Sequence, residues 1–100
     1  MTKKLKSKIE SLGWSVYECD KTCYEVSQYS PAGEDFCFVI NGKNDVELIE
    51  DINSYYDSFN PEEHALLWVG ATGAPTLRQL LNDADAIDEM LNNLVDKLNN

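Results

Sequence analysis

Three short runs between residues 14 and 40 leave this chain few ways to fold. Residues 14–19, 23–29 and 36–40 are rich in aromatic and β-branched side chains, the composition of strands. The connections between them are brief. Asp20-Lys21-Thr22 is a polar loop suited to a tight hairpin, and Ser30-Pro31-Ala32-Gly33 is a turn. Parallel neighbours need crossovers of about a dozen residues or more, so these strands must run antiparallel, as a meander. Alternation places Val16, Tyr24 and Val26 on one face, with Phe36, Phe38 and Ile40 beside them. Cys19, Cys23 and Cys37 fall on the opposite face. Asn41-Gly42 closes the third strand.

Helical spacing flanks this region on both sides. Residues 2–12 put Leu5, Ile9 and Leu12 on one stripe, with lysines on the other face and Gly13 placed to stop the helix. Residues 45–59 carry Val46, Ile49, Ile52, Tyr56 and Phe59 at three- and four-residue steps. Asn60-Pro61-Glu62-Glu63 is a helix start: a capping side chain, a proline at the first helical position, and two carboxylates at the positive end. That helix includes His64, Leu66, Leu67 and Trp68 and ends near Gly70. Gly70-Ala71-Thr72-Gly73-Ala74-Pro75 reads as a flexible loop. Helix resumes at Thr76 through Leu77, Leu80 and Leu81, with a break or restart at Asp83-Ala84-Asp85. Ile87, Met90, Leu91, Leu94 and Leu98 form a last stripe. The expectation is one α+β domain over residues 1–100: an N-terminal helix, a three-stranded antiparallel sheet, then about three helices packed on one face.

The chain has three cysteines and one histidine: Cys19, Cys23, Cys37 and His64. A Cys₃His set is a complete tetrahedral ligand group for structural zinc. A three-residue hairpin loop makes Cys19 and Cys23 directly opposed neighbours, as in a zinc knuckle, and Cys37 lies on the adjoining strand. His64 is the harder ligand to bring in, because the thiols sit on the face away from the helices and it must reach around an edge. The competing reading is three reduced thiols acting as small apolar groups.

Other chemistry is sparse. There is no glycine-rich phosphate loop, serine nucleophile elbow or HExxH motif. Asp83, Asp85 and Asp88 lack the glycine-turn spacing of a calcium loop. A Cys–His nucleophilic pair needs an orienting third group, and no motif supplies one. The reading is therefore not an enzyme. No apolar run approaches the ~18 residues that span a bilayer, and the basic start leads into no signal core, which makes the expected location cytoplasmic.

Charge is distributed unevenly. Net charge is -10, from 8 basic and 18 acidic residues, and all of the imbalance lies from Asp45 onward. Such a surface repels nucleic acid and attracts basic proteins. Glu47, Glu50, Asp51, Asp83, Asp85, Asp88 and Glu89 are the expected partner-binding carboxylates. Tyr55, Tyr56 and Trp68 read as core, with an interface role as the alternative.

Three segments carry a resemblance. Gln28-Tyr29-Ser30-Pro31-Ala32-Gly33-Glu34-Asp35-Phe36, Phe59-Asn60-Pro61-Glu62-Glu63-His64-Ala65 and Asp83-Ala84-Asp85-Ala86-Ile87 look like segments of small acidic proteins carried by bacterial phages and mobile elements. The chain also resembles the small anti-CRISPR proteins that inhibit type II CRISPR effector nucleases, some of which bind zinc. The resemblance spans about residues 12 to 98. It implies a non-enzymatic inhibitor in the bacterial cytoplasm that binds the nuclease protein and blocks DNA loading as a DNA mimic, with zinc as a structural clamp. The alternative it leaves is a phage-encoded acidic module against another basic target, such as a restriction enzyme or DNA-binding regulator.

Overall fold

A computed structural model describes residues 1–69 and 75–100. The order is α1 (Lys3–Glu10), β1 (Ser15–Asp20), β2 (Cys23–Tyr29), β3 (Asp35–Asn41), α2 (Asp45–Ser58), α3 (Pro61–Leu66) and α4 (Leu77–Asn99). The strands form one antiparallel sheet in the order β1-β2-β3. The fold is α+β, with an N-terminal helix, the three-stranded meander and then helices, as the patterning requires.

One face of the sheet is covered. Tyr24, Val26, Phe36, Phe38 and Ile40 are buried there, together with Trp14, Leu5 and Ile9 from the N-terminal end. Leu48 and Ile52 of α2 and Ile87, Leu91, Leu94 and Leu98 of α4 complete the same core. Burying each such side chain stabilises by about 1.5–3 kcal/mol. Gly13 closes the turn after α1, its N–H bonded to the Glu10 carbonyl at 3.0 Å, with φ 92°, a conformation open mainly to glycine, and the Gln28 amide donates to the Leu12 carbonyl beside it. Gly42 is required for another reason. A Cβ there would lie 2.8 Å from the Leu48 nitrogen, so only glycine lets β3 turn this tightly into α2.

Three expectations are corrected. The apolar stripe of α2 is rotated: Leu48 and Ile52 are buried, whereas Val46 is 66% exposed. Tyr55 stacks on Phe38 at 4.5 Å, and that contact with β3 sets which face turns inward. α4 runs through residues 83–85 without a break, because Ala84 is buried there and Asp83 is bonded across to the sheet. α3 ends at Leu66, and three-residue turns carry the chain on to Val69. Leu66, Leu67, Trp68 and Val69 are all exposed, so no buried stripe holds a longer helix. Of the loop expected at residues 70–75, all but Pro75 lies outside the described residues.

Asp45 ties the two ends of this architecture together. It begins α2 and accepts hydrogen bonds from the hydroxyl and the backbone N–H of Thr2, the N-cap of α1. Burial disfavours its ionised form, but the Thr2 hydroxyl and N–H outweigh that, and its pKa is lowered. A lowered folded-state pKa adds stability above the unfolded value, and that stability is lost as pH falls through the folded one. The destabilisation caused by Asp45→Asn at neutral pH is therefore expected to shrink below about pH 4, measured by urea unfolding across a pH series.

Candidate functional site

The sequence-selected residues divide among three places. The first is the junction at the β2–β3 turn. Ser30, buried, donates to Asp83 of α4 at 2.7 Å, and the Ala32 N–H donates to the same carboxylate at 3.1 Å. Glu34, at the end of the turn, meets Nε2 of His64 on α3 at 2.8 Å. The His64 ring packs against Phe36 and Phe59, with centroids 5.6 and 5.5 Å away. The three segments that carry the resemblance thus converge on one turn, where they fasten α3 and α4 to the sheet. Asp83 and His64 hold the fold at this point. Asp83→Ala is expected to cost about 1–3 kcal/mol by chemical denaturation, because the Ser30 hydroxyl stays buried without its acceptor. Asp83→Asn, which keeps an acceptor for Ala32, should cost less.

The second place is the outer face of the sheet, which holds the thiols. β1 pairs with β2 through Glu18↔Tyr24 and then Asp20↔Cys23, so a bulge at Cys19 sets Cys19 and Asp20 both against Cys23. The turn is thus one residue tighter than the expected loop, and Cys19 and Cys23 are neighbours by way of the bulge. Partial burial, then the Cys19 thiol and the Asp20 carboxylate, raise the Cys23 pKa. Cys37 is elsewhere. It pairs with Ser27, whereas Cys23 pairs with Asn41, a separation of four ladder steps or roughly 13 Å. Burial, then Glu25 and Asp35, raise the Cys37 pKa.

Zinc thiolate ligands lie within about 4 Å of one another, given Zn–S bonds of about 2.3 Å. His64 is on the helix-covered side against Phe36, while Cys37, the next residue along β3, points to the other side. The structure brings Cys19 and Cys23 together and leaves Cys37 and His64 apart from them. Among the described residues no three His, Cys, Asp or Glu side chains converge to hold a metal ion. Chain purified without added metal is expected to carry less than about 0.2 zinc by elemental analysis. Stoichiometric zinc that falls in Cys37→Ser would show that the four ligands meet.

The third place is the outer surface of α2 and α4, which lie side by side and antiparallel. The Asn53 and Asn99 amides bond reciprocally at 3.2 and 2.9 Å, and Tyr56 Oη donates to Asn92 Oδ1 at 3.3 Å. Burial, then Asp88, Asp96 and Asp57, raise the Tyr56 pKa, so three carboxylates crowd this seam. Asp85 and Glu89 extend it along the exposed side of α4, and Glu50 is exposed on α2. Two other carboxylates expected to face a partner are bonded within the fold: Asp51 accepts from the Asn41 N–H at 2.7 Å, and Glu47 from the Lys43 N–H at 2.8 Å. Among the described residues no Lys or Arg nitrogen lies within 4.0 Å of a seam carboxylate, although Lys8 and Lys97 line the same groove as Asp96. Sequence spacing alone does not single out Asp57 and Asp96. Their signal is the outward position opposite each buried stripe, and the pairing of α2 with α4 brings them together.

Comparison of the chain with protein-family models, curated proteins and solved structures gave no match. Among the described residues no helix is long and apolar enough to cross a membrane.

Proposed function

We propose that this chain is a non-catalytic binding protein that presents the α2–α4 acidic seam to a basic, nucleic-acid-binding surface of a partner protein. The target class favoured by its resemblance is the type II CRISPR effector nuclease. The observation that carries the reading is the gathered charge: Asp57, Asp88 and Asp96 around Tyr56, flanked by Asp85 and Glu89, with no Lys or Arg in ion-pair contact with them among the described residues. Like charges held together raise the potential of the surface and attract a cationic partner over a long range. Guide-RNA effectors hold nucleic acid in positively charged channels, which attract carboxylates for the same reason that they attract phosphates. Occupying such a channel excludes DNA and requires no catalysis. A restriction enzyme or DNA-binding regulator offers the same kind of surface and is the second target.

The test is DNA cleavage by a purified type II nuclease with its guide RNA, titrated with this protein. The expected result is stoichiometric inhibition that weakens at least about tenfold between low and ~0.5 M salt, where the screening length falls from tens of ångströms to a few. Unchanged cleavage at large excess rejects that nuclease as the target. Inhibition insensitive to salt rejects the electrostatic mode.

A further inference from the structure

We propose that Cys19 and Cys23 form a modification site, a thiol pair that small cationic disulfides oxidise to an intramolecular disulfide while Cys37 remains a separate thiol. The inference is independent of the partner proposed above.

The geometry rests on the bulge. Glu18 pairs with Tyr24 and Asp20 with Cys23, so Cys19 has no partner position of its own and lies against Cys23 across the end of the hairpin. A disulfide spans Cα separations of roughly 4.4–6.8 Å. Asp20 is the residue directly opposed to Cys23, and the bulge sets Cys19 next to it, near enough for the Cys19 thiol to act on Cys23. Only Lys21 and Thr22 lie in the turn between them, and Asp20 already holds that turn through the Thr22 N–H at 2.8 Å. Joining the two sulfurs therefore needs no rearrangement of the sheet. Cys37 is about 13 Å along the ladder from Cys23 and cannot close the same bond.

The two thiols differ in access. Cys19 is exposed and Cys23 is partly covered, so Cys19 meets an external reagent first. Asp20 lies beside Cys23 and Glu25 follows it on the same face of β2, with Lys21 the one basic residue of the turn. That environment favours a cationic disulfide over an anionic one.

The chemistry is thiol–disulfide exchange. The Cys19 thiol gives its proton to solvent, and its sulfur attacks one sulfur of the reagent RSSR, whose S–S bond breaks to release RS⁻. Cys23, deprotonated in turn, attacks the Cys19 sulfur of the mixed disulfide and expels the second RS⁻. Each RS⁻ takes a proton. The net change oxidises two protein thiols to one disulfide and reduces RSSR to two RSH. Because the Cys23 pKa is raised, little of it is thiolate near neutral pH, and the closing step accelerates as pH rises toward and past 9.

The test uses the full chain and cystamine, followed by intact mass and alkylation of the remaining thiols. The expected product has lost two hydrogens, carries no adduct, and alkylates only at Cys37. Closure should quicken about tenfold per pH unit below the Cys23 pKa. In Cys23→Ser the Cys19 adduct should persist at least about tenfold longer than in the wild-type chain. Stable adducts on both Cys19 and Cys23, or a disulfide that includes Cys37, overturn the proposal, as does an adduct lifetime unchanged in Cys23→Ser. Since the wild-type product is itself diagnostic, the result does not depend on any variant folding.

Discussion

Phe36→Ala is expected to lower the free energy of unfolding by about 3–5 kcal/mol, the range for removing a buried phenylalanine. Phe36 is 4% exposed. Its ring lies 6.3 Å from Trp14, 6.1 Å from Phe38, 6.4 Å from Tyr55, 5.8 Å from Phe59 and 5.6 Å from His64. The substitution leaves a cavity where the sheet, α2 and α3 meet, and removes edge-to-face contacts with Trp14 and Phe59. Domains of this size are stable by only about 5–15 kcal/mol, so the loss is a large share of the total. The damage should be greatest at α3. A six-residue helix does not persist alone, and this one is held by His64 against Phe36 and Phe59 and by the Glu34 contact. Hydrogen exchange in α3 should therefore speed up more than in α4. Val39→Ala, on the same strand but half exposed, is the control and should shift stability by no more than about 0.5 kcal/mol. Equal effects at Phe36 and Val39 would mean that the aromatic cluster does not organise the core.

The second large effect concerns binding. Reversing Asp85, Asp88, Glu89 and Asp96 to lysine is expected to slow association with a basic partner by about 10- to 1,000-fold at low salt, with a smaller change in dissociation. Stopped-flow or surface-binding kinetics with the nuclease measures this directly. The helix should survive the change, because lysine is a good helix former and none of the four residues belongs to the buried stripe of α4. The control reverses Glu18, Asp20, Glu25 and Asp35, all on the strands, which changes net charge equally away from α2 and α4. If the two sets slow association alike, total charge is what matters and the seam has no special place.

Much of the fold is legible in residue order. The spacing of Leu5 and Ile9, the alternation through Phe36, Phe38 and Ile40, and the Asn60-Pro61 helix start are local signals, and each marks an element found in the structure. Short connections leave antiparallel pairing as the sole option for the three strands. The alternation that places the thiols on the outer face is also a property of the strands alone. Less of the candidate site is legible. Asp83 looks like a surface carboxylate or a helix break until the Ser30 turn is set against it, and His64 looks like a ligand until Phe36, Phe59 and Glu34 surround it. The stripe of α2 is ambiguous because Val46 and Leu48 both fit a helical period. Contact with Phe38 and Gly42 selects Leu48.

Residue order alone therefore dictates the α+β class, the meander, the inner and outer faces of the sheet and the concentration of negative charge from Asp45 onward. These follow from spacing, turn chemistry and composition, which act between residues close in the chain. Long-range packing dictates the rest: that Cys37 and His64 lie on opposite sides of β3, and that Asp57, Asp88 and Asp96 gather at one seam. Those outcomes depend on which surfaces meet over tens of residues, where hydrophobic burial chooses among arrangements that local pattern leaves equal.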